Sequence, residues 1–311
     1  MKTNISLILI LCLLLGACKN GNASSQSKSE TPQDTIKAIK MPAIPQMMTA
    51  PEQRADFLAK HYWDNVNFAD TNYIHHPEVT EQAWADYCDL LNHVPLETAQ
   101  QAKRNVIDRT NVYKKVFTYI TDLADKYLYD PNSPMHNEEF YIPVLEAMIA
   151  SPVLNETEKI RPQARLKLAQ KNRIGTKALN FTYTLASGAQ GSLYQLKAEY
   201  LLLFINNPGC QACTETIEGL KNAPIINQLL QEKKLVLLSI YPDEELDEWK
   251  KHLSEFPNEW INGYDKKFTI KEEQVYDLKA IPTLYLLDKD KTVLLKDATA
   301  PAIEAYLMQH Q

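Results

Sequence analysis

Apolar and polar positions follow two different periods in the two halves of this chain. Between about residues 50 and 172 apolar residues recur every three to four positions, the spacing of one helix face. Val106, Tyr113, Val116, Phe117, Ile120, Leu123 and Tyr127 read as one long stripe. Phe140, Val144 and Met148 predict a helix over 138–150, and 165–172 a short last one. Thr49-Ala50-Pro51-Glu52 reads as a helix start, with a capping residue, an early proline and an acid in the first turn. After Gly175 the pattern changes to short, mostly apolar runs at 200–205, 235–240, 260–264, 284–287 and 292–295. The last two flank Asp288-Lys-Asp-Lys291 and predict a hairpin. Residues 214–231, 243–253, 267–276 and 301–309 read as helices between and after the strands. Central strands this apolar predict helices on both faces of the sheet. The fold class expected is an all-α domain over 49–172 followed by an α/β domain over 173–311.

The chemistry concentrates where the first apolar run ends. Tyr200-Leu-Leu-Leu-Phe-Ile205 is followed by the turn Asn206-Asn-Pro-Gly209 and then by Cys210-Gln211-Ala212-Cys213 at the head of a helix. A helix N-terminus leaves backbone N–H groups unpaired and carries the positive end of the dipole, so a thiolate is favoured there. The second cysteine lies within the same turn and can close a disulfide onto the first. A stabilising disulfide or half of a zinc site uses the same spacing, but no second CxxC or histidine pair completes a metal site, and none is expected. Downstream, Ala280-Ile281-Pro282-Thr283 precedes another apolar run. Proline is excluded from central strands because it cannot donate to the ladder, and X–Pro is where cis peptides occur.

Strand, CxxC, helix, strand, helix and then Ile-Pro-Thr before a hairpin resembles the thioredoxin family over roughly the last 135 residues. That resemblance implies a cis Pro282 packed beside the dithiol, Cys210 as attacking thiol, Cys213 as resolving thiol, and Ile281 with Pro282 as the substrate-side wall. From Cys210 to Pro282 is 72 positions (282 − 210), longer than a minimal thioredoxin needs. The added length holds a helix with Leu246, Trp249 and Leu253, and Gly175–Phe181 looks like an opening strand. Both features are similar to the TlpA-like, membrane-anchored thiol-disulfide oxidoreductases of bacterial envelopes. Two departures stand out: Pro208-Gly209 replaces the aromatic usual before the first cysteine, and no buried acid precedes the motif. The nearest acids, Glu215 and Glu218, read as solvated residues of the helix face. No cofactor is implied.

The first residues read as a targeting segment. Lys2 is followed by an apolar run, Ile5 to Leu15, too short to span a bilayer, and then by Leu15-Gly16-Ala17-Cys18. This resembles a lipoprotein signal over 1–17, with Cys18 the lipidated residue. Residues 18–48 are rich in Ser, Asn, Gln, Lys and Pro and read as a flexible tether. The expectation is a lipoprotein anchored in the cell envelope and facing the periplasm, acting on protein thiols or disulfides.

Composition adds exclusions. Of 311 residues 45% are hydrophobic, enough for a sizeable core, and the net charge is −6 with no basic run, which argues against nucleic acid. Cys88 falls at helical spacing with Trp84, Tyr87 and Leu91 and reads as a small buried hydrophobe. His61, His75, His76, His93 and His136 are scattered and read as surface or capping residues. The region 49–172 resembles a helical domain of unknown function that precedes thioredoxin-like domains in some bacterial lipoproteins. A second reading of the whole is a non-catalytic binding lipoprotein, with the thioredoxin fold as scaffold and the dithiol a structural disulfide.

Overall fold

Among the described residues six α-helices build the first part: α1 (Pro51–His61), α2 (Pro77–Leu91), α3 (Leu96–Arg109), α4 (Lys114–Ala124), α5 (Glu138–Ala150) and α6 (Glu156–Ala169). The structure, a computed structural model, describes residues 38–310. The targeting segment, Cys18 and most of the expected tether lie outside them. Helix α5 is the centre of this part and packs against both α3 and α6. Its side chains Tyr141, Val144, Leu145 and Ala147 are fully buried, because apolar residues surround it on nearly every side. Asn137 caps α5 by accepting a hydrogen bond from the Phe140 N–H at 3.2 Å. Helix α6 starts with a capping box between Asn155 and Glu158. The N-cap of α1 is Ala50, which offers no side-chain bond, so the start there rests on Pro51 at the first position rather than on Thr49.

The long apolar stripe is divided. Val106 belongs to α3, Val116 to Leu123 belong to α4, and Tyr127 sits in a π-helical turn over Asp125–Tyr129. Tyr113 between them is exposed, because a short 3-10 turn over Thr110–Val112 redirects the chain. A periodic stripe cannot show such a break, since 3-10 and π turns nearly keep the helical spacing.

The second part is one seven-stranded sheet with strands β1 (Thr182–Leu185), β2 (Gln190–Ser192), β3 (Tyr200–Ile205), β4 (Leu235–Tyr241), β5 (Ile261–Tyr264), β6 (Thr283–Asp288) and β7 (Val293–Lys296), in the order β2-β1-β5-β4-β3-β6-β7. The pairs β3–β4 and β4–β5 are parallel and the others antiparallel. Residues alternate between two cores as the pleat requires: Leu202 and Phe204 face one, Leu201, Leu203 and Ile205 the other. The first core is covered by helices α7 (Gln211–Lys221), α8 (Pro224–Gln231) and α11 (Ala300–Gln309). Pro224 divides the single helix expected over 214–231, since it has no N–H to continue the ladder and instead opens α8.

The other face departs from the expectation of helical cover. It is closed by Ala178, Phe181, Leu193, Ile270 and Tyr276, mostly from irregular segments. Helix α9 (Leu246–His252) buries Trp249 against Tyr264, with ring centroids 5.1 Å apart. The helix expected over 267–276 shrinks to α10 (Thr269–Glu272), which follows Phe268 at φ +54°. Residues 175–181 form no opening strand. Only Lys177 bridges to Thr292, and the first strand begins at Thr182. Among the described residues no helix is long and apolar enough to cross a membrane.

The two parts belong to one compact unit. The connection over 169–173 is tied to the sheet part: the Asn172 side chain donates to the Val275 carbonyl at 2.7 Å and the Lys296 ammonium to the Lys171 carbonyl at 2.8 Å.

Candidate functional site

Cys210 is the N-cap residue of α7, with extended φ −78° and ψ 120°. The turn that delivers it needs Gly209, which sits at φ +70°, where a side chain would be strained. The cysteine carbonyl already accepts the first helical bond, from the Thr214 N–H at 3.0 Å. Its sulfur is half-buried, and the thiol donates to the Ile281 carbonyl at 3.8 Å. The Ile281–Pro282 peptide is cis. The loop expected from the proline signal therefore meets the dithiol, although 71 positions separate Ile281 from Cys210.

Cys213 lies one turn further in and is 2% exposed. Burial pushes its thiol up to about 12, a hydrogen bond with the Asn207 backbone opposes this, and Cys210 reinforces it. Both sulfurs are free thiols. One thiol is thus half-exposed at a helix N-terminus, and the other is shielded and protonated behind it.

Two depressions flank this pair. On one side a cavity of about 440 Å3 is walled by Asn207, Asp243, Glu244, Glu245, Glu248 and Lys271. Here the Asn207 amide donates to Asp243 at 3.0 Å, and Lys271 pairs with the same carboxylate at 2.7 Å. On the other side a cavity of about 450 Å3 runs along α7 past Ala212, Glu215 and Gly219, under Ile281 and Pro282, to the start of α11. Its far wall is not part of the sheet domain: it consists of Pro131, Asn132 and His136, from the segment before α5. Glu215 lines this cavity while bonded to Gln211 at 2.9 Å, and Glu218 points away to Lys221.

Beneath the second cavity lies a buried ionic cluster that sequence reasoning missed. Lys279, two residues before Ile281, meets Asp297 at 2.5 Å, Glu138 at 2.8 Å and Asp277 at 3.5 Å. Glu138 also meets Lys296 at 2.5 Å, and the His136 ring reaches Asp297 at 3.6 Å. Burial would weaken the Lys279 ammonium, but the three carboxylates outweigh it and raise its pKa. Burial likewise raises the Asp277 carboxyl. His136, read from sequence as a surface or capping residue, is therefore an interface residue. The only sequence signals were an acid opening the most apolar helix and a lysine beside the Ile-Pro-Thr motif, and neither names the other. The remaining departure concerns Cys88. It is buried as expected, but the fully buried Lys103 ammonium donates to its sulfur at 3.0 Å.

A CxxC opening the helix after a central parallel strand, facing a cis-proline before an antiparallel strand, defines the thioredoxin-like class. Comparison with known proteins agrees. A family model described as thioredoxin-like matches residues 198–293, and one for a domain of unknown function, DUF5106, matches residues 17–172. A thioredoxin-like protein from Bacteroides caccae is 83% identical, with 89% of this chain and 100% of that one covered and a TM-score of 0.86. The C-terminal domain of an uncharacterized protein from Bacteroides fragilis is 69% identical, covering 44% of this chain and 98% of that one, with a TM-score of 0.44. The thioredoxin domain of a thiol-disulfide oxidoreductase from Bacteroides vulgatus is 19% identical, covering 44% and 97%, with a TM-score of 0.40. No curated protein matches the chain. The chain belongs to the thioredoxin-like family and carries a DUF5106 helical domain in front of the thioredoxin fold.

Proposed function

We propose that this protein exchanges disulfides with other polypeptides, with Cys210 attacking and Cys213 resolving. The observation that carries the reading is the asymmetry of the pair: Cys210 is half-buried at the N-cap of α7, and Cys213 is 2% exposed behind it. The Cys210 thiolate attacks one sulfur of a substrate disulfide. A mixed disulfide forms, and the substrate's other sulfur leaves as a thiolate. Cys213 then gives up its proton and attacks Cys210, which closes the Cys210–Cys213 disulfide and releases the second substrate sulfur as a thiolate. With an oxidised pair and a dithiol partner the same steps run in reverse. Ile281 and Pro282 form the wall against which the substrate chain lies.

Cys213→Ala should accumulate mixed disulfides with its partners in a cell-envelope extract, and the double variant with Cys210→Ala should trap none. A Cys213→Ala protein that traps nothing returns the pair to a structural disulfide on a thioredoxin scaffold.

The place of action we propose is the bacterial cell envelope, on a lipid anchor at Cys18 facing the periplasm. Leu15-Gly16-Ala17-Cys18 after an apolar run supports this. Mass spectrometry of the mature chain should find acyl groups on Cys18, and an unmodified N-terminus would remove the anchor from the reading.

A further inference from the structure

The helical domain supplies one wall of the cavity beside the dithiol. Its contribution is held firmly rather than resting there. The His136 N–H donates to the Ser133 carbonyl at 3.0 Å, the Ser133 hydroxyl donates to the Tyr127 carbonyl at 2.7 Å, and the Asn137 N–H donates to the Leu128 carbonyl at 3.0 Å. One residue on from Asn137, Glu138 is clamped between Lys279 and Lys296. The wall before α5 and the loop that carries Ile281 and Pro282 therefore share one buried ionic cluster.

The geometry points to a composite substrate cleft: the helical domain, through Pro131, Asn132 and His136, selects polypeptides that carry a bulky apolar side chain next to the reacting cysteine. This rests on the exchange reading above and names its substrate class. The occupant follows from continuity. Ile281 touches Cys210 and also lines the cavity, so a chain whose cysteine is bonded to Cys210 lays its neighbouring residues into that space. The volume, about 450 Å3, lies within the range of ligand sites, roughly 300–1,000 Å3. Its preference follows from the walls. Ala212, Gly219, Ala298 and Ala300 leave room and present no charge, while Lys279 and Asp297 are spent on each other. Glu215 also lines this space, with its carboxylate bonded to the neutral Gln211 amide, so an acidic neighbour on the bound chain is disfavoured there.

The test uses the full chain with Cys213→Ala and two short peptides, each with one cysteine joined as a mixed disulfide to an aromatic thiol. One peptide has Leu and Phe beside the cysteine, the other Asp and Glu. Attack by Cys210 on the peptide sulfur expels the aromatic thiolate, whose absorbance reports the rate. We expect the apolar peptide to react at least tenfold faster. Adding Asn132→Trp, which fills the cleft from the helical side at an exposed turn, should bring the two rates together. Adding Asn132→Arg should favour the acidic peptide, a gain that misfolding cannot imitate. Equal rates before any change at Asn132 overturn the cleft while leaving exchange in place. An apolar preference untouched by either Asn132 variant assigns the cleft to the thioredoxin part alone and overturns the role of the helical domain. No thiolate release from either peptide overturns the exchange reading, and the cleft with it.

Discussion

Two buried thiols, Cys88 and Cys213, differ in what lies against them. Cys213 is buried behind Cys210, and its thiol, pushed up to about 12, stays protonated at neutral pH. Alkylation of the reduced protein near pH 7.5 should therefore label Cys210 and spare Cys213 until denaturant is added. Equal labelling of the two would contradict the asymmetry. Cys88 is the one hydrogen-bond partner of the Lys103 ammonium among the described residues, and the amine otherwise faces the rings of Trp84 at 3.8 Å and Tyr87 at 4.5 Å. Burial lowers the Lys103 pKa, and the cysteine sulfur counters that. Cys88→Ala leaves a buried donor unmatched and should cost about 1–3 kcal/mol. Lys103→Met keeps the volume, removes the donor, and should be near neutral or stabilising. Denaturant midpoints at unchanged slope compare the two, and an equal loss for both would refute the account.

Among the elements, the edge of the sheet is set by one aromatic ring. Tyr183 on β1 lies across Gly191 on β2 and Gly263 on β5. A Cβ added at Gly263 would stand 2.9 Å from the Tyr183 ring and 3.3 Å from the Thr184 carbonyl oxygen. Side chains at that point would force the three strands apart, so the glycine is required by close approach rather than by its backbone angles. Gly263→Ala should destabilise by about 1–3 kcal/mol through overpacking. In a Tyr183→Leu background the same change should cost less, and a cycle of thermal midpoints measures the difference. Strict additivity would show that the ring is not the obstacle.

Across the whole molecule, the cluster under the cleft couples the two domains to pH. Burial would raise the Asp297 carboxyl, but His136, Lys279 and Lys296 outweigh it and hold it at about 2, against an ordinary 3.8. A carboxylate held below its unfolded value adds stability that is fully present above about pH 4 and is lost as pH falls toward 2. The shift corresponds to about 2 kcal/mol. Asp277 in the same cluster is shifted upward, chiefly by burial, and offsets part of this. The stability gap between the wild type and Asp297→Asn should therefore narrow as pH drops from 4 to 2. A gap that is constant over that range would mean Asp297 titrates no differently folded and unfolded.

What the sequence alone determined is what leaves a local mark. The change from helical to short-strand period near Gly175 separated the two parts, because burying one face of a helix or both faces of a central strand imposes a period on neighbouring residues. Cys210 and Cys213 were legible for the same reason: strand, turn, thiol pair and helix are consecutive. Ile281 and Pro282 were legible because proline at a strand entrance breaks a local rule. Tertiary structure alone decided the rest. Lys279 and Glu138 lie 141 positions apart, and no period links a lysine in a loop to the first residue of a distant helix. The loops and short turns that cover the second face of the sheet are irregular, so they carry no pattern to read. The wall of Pro131, Asn132 and His136 reaches Pro282 only because packing of α5 on its neighbours presents that segment to the dithiol. The thiol pair was written along the chain, and the cavity beside it came from pairing distant charges in a buried, low-dielectric interface.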